Sequence, residues 1–356
     1  MSVFYDAVAA GLTAYARSSF RVRPLGERVR LDEGGLFVSS HRSDADVPVL
    51  VSVIYRHAYG LVRLGRPKLH FAVRDDLFLR GFFAGYRPDA PPWTRRLLYP
   101  IGIGPVFGRA VPCHPIRSAT RMRLVELLRD HRGAPVAELL PEELARPFHE
   151  RGLPRSARAK DALAARYADL LWRVSTDEEL RGPLAAQSWR RRRSAATADF
   201  RTLVEIVRGG GTLLVFPEGR PSPDGGLGPV QPGLSALVRR ARPASLRALA
   251  LAYDPLVPGR PYAYVGIGGP VEPTEDEDAV LALLRRTTPL TAGQLVAAGA
   301  EGRVAAEVEA AIAEGRPVAP ELIHPARRAA RVAEARAAVG RLPLDRLVRE
   351  YRSARA

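Results

Sequence analysis

The stretch Gly35-Leu-Phe-Val-Ser-Ser-His-Arg-Ser-Asp-Ala-Asp46 starts apolar, turns polar at Ser40, and gives way to a second apolar segment, Val47 to Tyr55. A short strand, a polar loop from Ser40 to Asp46 and then a helix would produce this pattern. Loops held between two buried elements commonly carry chemistry. A similar step stands far downstream. The glycine turn Gly209 to Gly211 leads into a compact apolar strand, Thr212 to Phe216, which stops at Pro217-Glu-Gly. Leu69 to Val73, Leu246 to Tyr253 and Tyr262 to Ile267 read as further strands, the last two separated by the turn-forming Pro255 to Pro261. Strands alternating with helical stretches predict the α/β class, a mixed sheet flanked by helices.

Around this core the composition shifts. Residues 3 to 19 place Phe4, Val8, Leu12 and Tyr15 on one helical face, a spacing that suits packing on the core or lying in a membrane interface. Ile101 to Ile116 is rich in Gly, Pro and β-branched residues, which suggests turns around another strand, and residues 121 to 131 look helical. From 132 the chain is rich in Arg, Ala, Glu and Leu up to the basic run Arg190 to Arg193, and after Glu272 it is helical throughout, with an arginine-rich tail. The expected organisation is an α/β core of residues 1–128 and 201–275, a mostly helical insertion at 129–200 and a helical C-terminal extension at 276–356. No internal repeat is visible.

The formal charge is +16, from 54 basic and 38 acidic residues, so the summed field favours anionic partners without choosing among phospholipid headgroups, nucleic acid and phosphorylated metabolites. Lys68 and Lys160 are the only lysines, and arginine carries nearly all the positive charge. Cys113 is the single cysteine, which excludes an intramolecular disulfide framework and thiolate-rich zinc sites and suits a reducing compartment. No segment approaches the roughly 20 apolar residues of a bilayer span. The longest such run, Val47 to Tyr55, is interrupted by Pro48 and Ser52, and the N-terminus does not read as a secretory signal.

Within Ser40 to Asp46 an imidazole, His41, precedes the Asp46 carboxylate by five positions. A tight turn would bring Asp46 to one ring nitrogen of His41, fixing its tautomer and stabilising the imidazolium formed when the other nitrogen takes a proton. That pairing is a general base with its orienting partner. A metal site from His41, Asp44 and Asp46 is the rival, but no second histidine lies nearby. The second constellation is Phe216, Pro217, Glu218, Gly219 and Arg220 at the end of a buried strand, where anions gather in open α/β sheets. Its bland counterpart is a strand followed by a type II turn. The other histidines, His57, His70, His114, His131, His149 and His324, are expected to be structural or superficial. A nucleophile elbow and a Walker loop are absent, and the stretch Gly102 to Gly108 misses the dinucleotide pattern by one residue.

Taken together, the motifs resemble the glycerolipid acyltransferases of the lysophosphatidate (1-acylglycerol-3-phosphate) acyltransferase type. His41, Ser43 and Asp46 match that family's His-x-Ser-x-x-Asp block, Phe216 to Gly219 match its Phe-Pro-Glu-Gly block, and Val111-Pro-Cys-His-Pro-Ile-Arg117 looks like the intervening strand that ends in arginine. Arg74-Asp-Asp-Leu77 is similar to its basic-acidic-leucine step. The resemblance covers roughly residues 30–130 and 200–272. It implies an α/β fold and transfer of a fatty acyl group from acyl-coenzyme A or an acyl carrier protein to the hydroxyl of a lysophospholipid or glycerol-phosphate-type acceptor. It further implies that His41 is the base, that Arg117 and the end of the glutamate strand hold the acceptor phosphate, and that neither metal nor cofactor is required.

Three features depart from the family pattern. Ser40 stands where the family has Asn, Arg220-Pro-Ser replaces Thr-Arg-Ser, and the segment from Arg117 to Phe216 is longer. The expected setting is cytoplasmic, peripheral on the inner face of the cell membrane, against an anionic lipid surface. A basic lipid- or nucleic-acid-binding module without catalysis is one alternative, although few aromatics interleave the arginines and no nucleic acid is expected. A thioester hydrolase on the same fold is the other.

Overall fold

The computed structural model describes residues 2–29, 31, 35–59, 68–82, 84, 91–100, 102, 104, 111–222 and 226–339. The arginine-rich tail and most of the glycine-spaced stretch 102–108 lie outside the described residues. Nine strands are seen among the described residues: β1 Arg21–Gly26, β2 Gly35–Ser39, β3 Leu69–Arg74, β4 Cys113–Ile116, β5 Arg121–Arg123, β6 Val174–Thr176, β7 Thr212–Val215, β8 Leu246–Asp254 and β9 Tyr262–Ile267. The larger sheet has seven strands in the order β1-β9-β8-β2-β7-β3-β4, and β5 and β6 form a separate antiparallel pair. Most of its pairings are parallel, whereas β8 and β9 run antiparallel. The fold is therefore α/β with a mixed sheet, as the alternation of elements predicted. Among the helices are α1 Ser2–Ser19, α2 Asp46–Tyr59, α3 Pro92–Leu98, α4 Leu124–Asp130, α5 Pro183–Arg208, α6 Gly233–Ala241, α7 Glu277–Thr287, α8 Val304–Ala313 and α9 Pro325–Ala337.

The chain divides into two compact units, one of residues 1–71 with 204–356 and one of residues 72–203. In the first, β2 is buried along its whole length and is flanked by β7 and β8, which explains its unbroken apolar run. Its C-terminal helices build a cluster of their own, in which Leu290, Leu295, Val308 and Leu322 pack with Leu256 and Tyr264. In the second unit, Met122, Leu127, Phe148, Tyr167 and Trp189 form the core.

Three local readings change. β1 was not anticipated, because its Pro24 and alternating arginines weaken the strand pattern; it lies at the sheet edge, where Pro and charge are tolerated. Residues 121–123, expected to be helical, instead pair with β6, and the helix begins at Leu124. On α1 Tyr5, Ala9 and Ala16 are buried and Val8 and Leu12 half-buried, while Tyr15 is 53% exposed; the Phe4 side chain lies outside the described residues. α1 packs against α2. Within the sheet, Gly266 admits no side chain, since a Cβ there would lie 1.9 Å from the carbonyl oxygen of Thr287.

Candidate functional site

β2 and β7 are adjacent and parallel, with Phe37 opposite Leu214 and Val38 opposite Val215. Their C-terminal ends therefore emerge side by side, and the loops that follow them, from Ser40 and from Phe216, meet. Hydrogen bonds join the two: the His41 N–H donates to Glu218 Oε1 at 2.8 Å, and the Ser222 N–H to the His41 carbonyl at 2.9 Å. Ring stacking adds a third link, with His41 and Phe216 centroids 4.3 Å apart and their planes inclined by 26°.

The five-residue spacing closes as a turn. Asp46 begins α2, its N–H donates to the Ser43 carbonyl, and the Ser43 hydroxyl accepts from the Ala45 N–H. This geometry aims Asp46 back along the loop. Its Oδ2 accepts from His41 Nδ1 at 2.8 Å, from the Arg42 N–H at 2.5 Å and from the Ser43 N–H at 2.9 Å. Its Oδ1 accepts from the Tyr253 hydroxyl at 2.7 Å. Asp46 is fully buried, and its position in the first turn of α2 places a carboxylate where the helix dipole favours negative charge. An ionised carboxylate can only accept, so the neutral imidazole that fits it carries its proton on Nδ1 and presents a lone pair at Nε2. Among the described residues nothing hydrogen-bonds Nε2, and the His41 side chain is 16% exposed.

Glu218 is buried, and its two oxygens accept from the His41 and Gly228 N–H groups, the latter at 2.7 Å. Burial pushes its pKa up, while those two hydrogen bonds and the Arg42 charge pull it partly back. The Gly219 N–H donates to the Phe216 carbonyl with Pro217 and Glu218 between them, and Gly219 has φ +71°. Arg242 alone among the described non-glycine residues has positive φ, so Glu218 does not occupy the third position of a type II turn. The turn has Pro second and a left-handed glycine last, and it directs the Glu218 carboxylate at the backbone of His41. Arg220, which follows, is exposed.

No protein-family model matches the chain, and no curated protein matches it. Among solved structures it is similar to the 1-acyl-sn-glycerophosphate (LPA) acyltransferase PlsC from Thermotoga maritima, at 13% identity over 79% of each chain and a TM-score of 0.34. An overlap of that extent carries no weight for activity.

Sequence reasoning missed Tyr253, which reaches Asp46 from β8, and the structural part played by Ser40, whose hydroxyl accepts from the Leu251 N–H at 3.0 Å. The one available signal was a polar residue near the end of an apolar strand. Arg117 belongs to the second unit, where its Nη1 meets both oxygens of Asp199 at 2.7 and 2.8 Å. Burial raises the Asp199 pKa and Arg117 lowers it, with the first effect larger. Arg192, in the middle of the basic run, points inward to Asp75 and Glu126 rather than to solvent. His131 bonds Ser188, and His149 the Leu153 carbonyl, so both have structural partners. No group of three or more metal-ligating side chains occurs among the described residues.

Proposed function

We propose that this chain is an O-acyltransferase that moves a fatty acyl group from acyl-coenzyme A or an acyl carrier protein to the hydroxyl of a lysophospholipid or glycerol-phosphate-type acceptor. The observation that carries the proposal is the His41–Asp46 pair, with Nδ1 held by a buried carboxylate and Nε2 unengaged. A hydroxyl does not ionise at neutral pH, whereas an imidazole with a reference pKa of about 6.5 can take its proton as the new bond forms.

In the proposed step the acceptor oxygen attacks the thioester carbonyl while its proton passes to Nε2 of His41. The carbon–sulfur bond then breaks, and the proton moves from His41 to the departing thiolate. Asp46 stabilises the transient imidazolium and keeps the ring from turning, an effect the Phe216 stack reinforces. Glu218 fixes the backbone of His41 through the hydrogen bond to its N–H.

Arg220 is proposed to hold the acceptor phosphate, since a guanidinium fork matches phosphate oxygens. Arg117, in the second unit, is proposed as a phosphate ligand in its own right and would have to give up Asp199 to act as one. The setting proposed is peripheral, against an anionic membrane surface, with the acceptor presented from the bilayer.

The test is thioester turnover with and without a panel of lysolipid and glycerol-phosphate acceptors. His41→Ala should lower transfer on the order of 10²-fold or more while the circular dichroism and melting curve stay native. A folded His41→Ala protein with near-normal transfer defeats the proposal. Wild-type turnover that gives free acid regardless of acceptor makes the chain a hydrolase instead.

A further inference from the structure

The most exposed large apolar side chains among the described residues are Trp93, at 66%, and Leu97, at 64%. Both belong to α3 and stand one helical turn apart, so they share a face. The helix is held from its other side: Arg95 pairs with Asp169 at 3.3 Å, and the Tyr99 hydroxyl just beyond its end donates to the Leu163 carbonyl at 2.7 Å. Tyr99 also packs against the core of its unit. The outward face is thus displayed on an anchored scaffold. Arg96 is exposed beside Leu97, and exposed Arg80 caps the helix end through its Nε on the Pro100 carbonyl at 3.1 Å. The segment from Pro91 to Pro100 contains no acidic residue.

We infer that α3 docks on the headgroup–acyl boundary of an anionic bilayer, with Trp93 and Leu97 entering it and Arg80 and Arg96 meeting lipid phosphates. Indole combines an apolar body with a polar N–H and favours that boundary, and guanidinium forks suit the phosphates around it. The net charge of +16 supplies the long-range attraction. Two side chains fall far short of the roughly 800 Å² per partner of a stable protein interface, whereas a bilayer closes around a small wedge. The inference deepens the proposed reaction and rests on it for the choice of surface, because a lysophospholipid and its product reside in a bilayer.

The three tryptophans make the test specific, since Trp172 and Trp189 are buried and Trp93 is exposed. Intrinsic fluorescence and sedimentation are measured with vesicles of phosphatidylglycerol and phosphatidylcholine, and with phosphatidylcholine alone. The wild type should shift its emission to the blue on the anionic vesicles. Trp93→Ala with Leu97→Ala should partition at least roughly tenfold more weakly, the loss expected when a large apolar side chain stays in water. Turnover of a short-chain, water-soluble acceptor should be unchanged in that variant. Wild-type binding without a blue shift, or binding by the double variant equal to wild type, overturns the inference. So does a wild-type dimer that the double variant dissolves while neither protein binds vesicles. A blue shift without acyl transfer to any acceptor supports this docking surface and removes the proposed reaction.

Discussion

Tyr253 donates its hydroxyl to Oδ1 of Asp46, the oxygen that His41 does not use. A hydrogen bond to a charged group is worth about 1.5–3 kcal/mol. Without it the Asp46 carboxylate loses one of its anchors and is free to turn away from Nδ1 of His41. Tyr253→Phe should therefore lower kcat roughly tenfold, by about the lower end of that range, with KM unchanged. Asp46→Asn should be more severe, on the order of 10²-fold or more in kcat, because the amide can stabilise the wrong tautomer and leaves the imidazolium without a countercharge. Glu218 makes a separate prediction about stability. Its folded-state pKa is raised, chiefly by burial, so between the ordinary glutamate value and that raised value the folded protein binds more protons than the unfolded chain. Its contribution is fully present below the unfolded pKa and is lost as pH rises through the folded one. Glu218→Gln should flatten that part of the stability–pH curve, as followed by urea denaturation across the window.

At the scale of elements, β8 serves two neighbours. Tyr253 points to the His41 loop, and the next residue, Asp254, accepts from Arg331 Nη2 of α9 at 2.8 Å and from the Gly293 N–H at 3.1 Å. Arg331 also donates to the Leu256 carbonyl, and both members of the pair are buried. The C-terminal helices are thereby fastened to the strand that carries Tyr253. Removing one partner of a buried pair costs about 3–5 kcal/mol, because the other charge stays buried. Arg331→Ala should lower the unfolding free energy from urea denaturation by that order, and the midpoint with it, whereas Arg331→Met with Asp254→Leu should recover much of the loss. Equal midpoints for wild type and Arg331→Ala would show that the pair fastens nothing.

Taken whole, the molecule carries a large positive charge and, among its described residues, no helix long and apolar enough to cross a membrane. Each basic residue near an anionic surface contributes about 1 kcal/mol, and the attraction fades beyond a Debye length of about 10 Å in 0.1 M salt. Sedimentation with phosphatidylglycerol vesicles should therefore weaken steeply as sodium chloride is raised. Equal binding to neutral vesicles, or salt-independent binding, would count against electrostatic recruitment.

The linear chain determined the class of fold, the strand that leads to Ser40, the strand that ends at Phe216, and the local His41–Asp46 pairing. Each rests on apolar patterning or on contacts a few residues apart, which a short turn can close. The meeting of Phe216 and Glu218 with His41 depended on β2 and β7 becoming parallel neighbours, and the hydrogen bond from Tyr253 on β8 lying beyond β2. That Arg117 contacts Asp199 and that Arg192, within the basic run, turns inward to Asp75 could not be read from the linear chain. The outward face of α3 was likewise invisible, because a Trp and a Leu one turn apart read the same whether buried or exposed. Strand order, ion-pair partners and exposure are set by chain segments remote in sequence. For that reason the tertiary structure alone decided them.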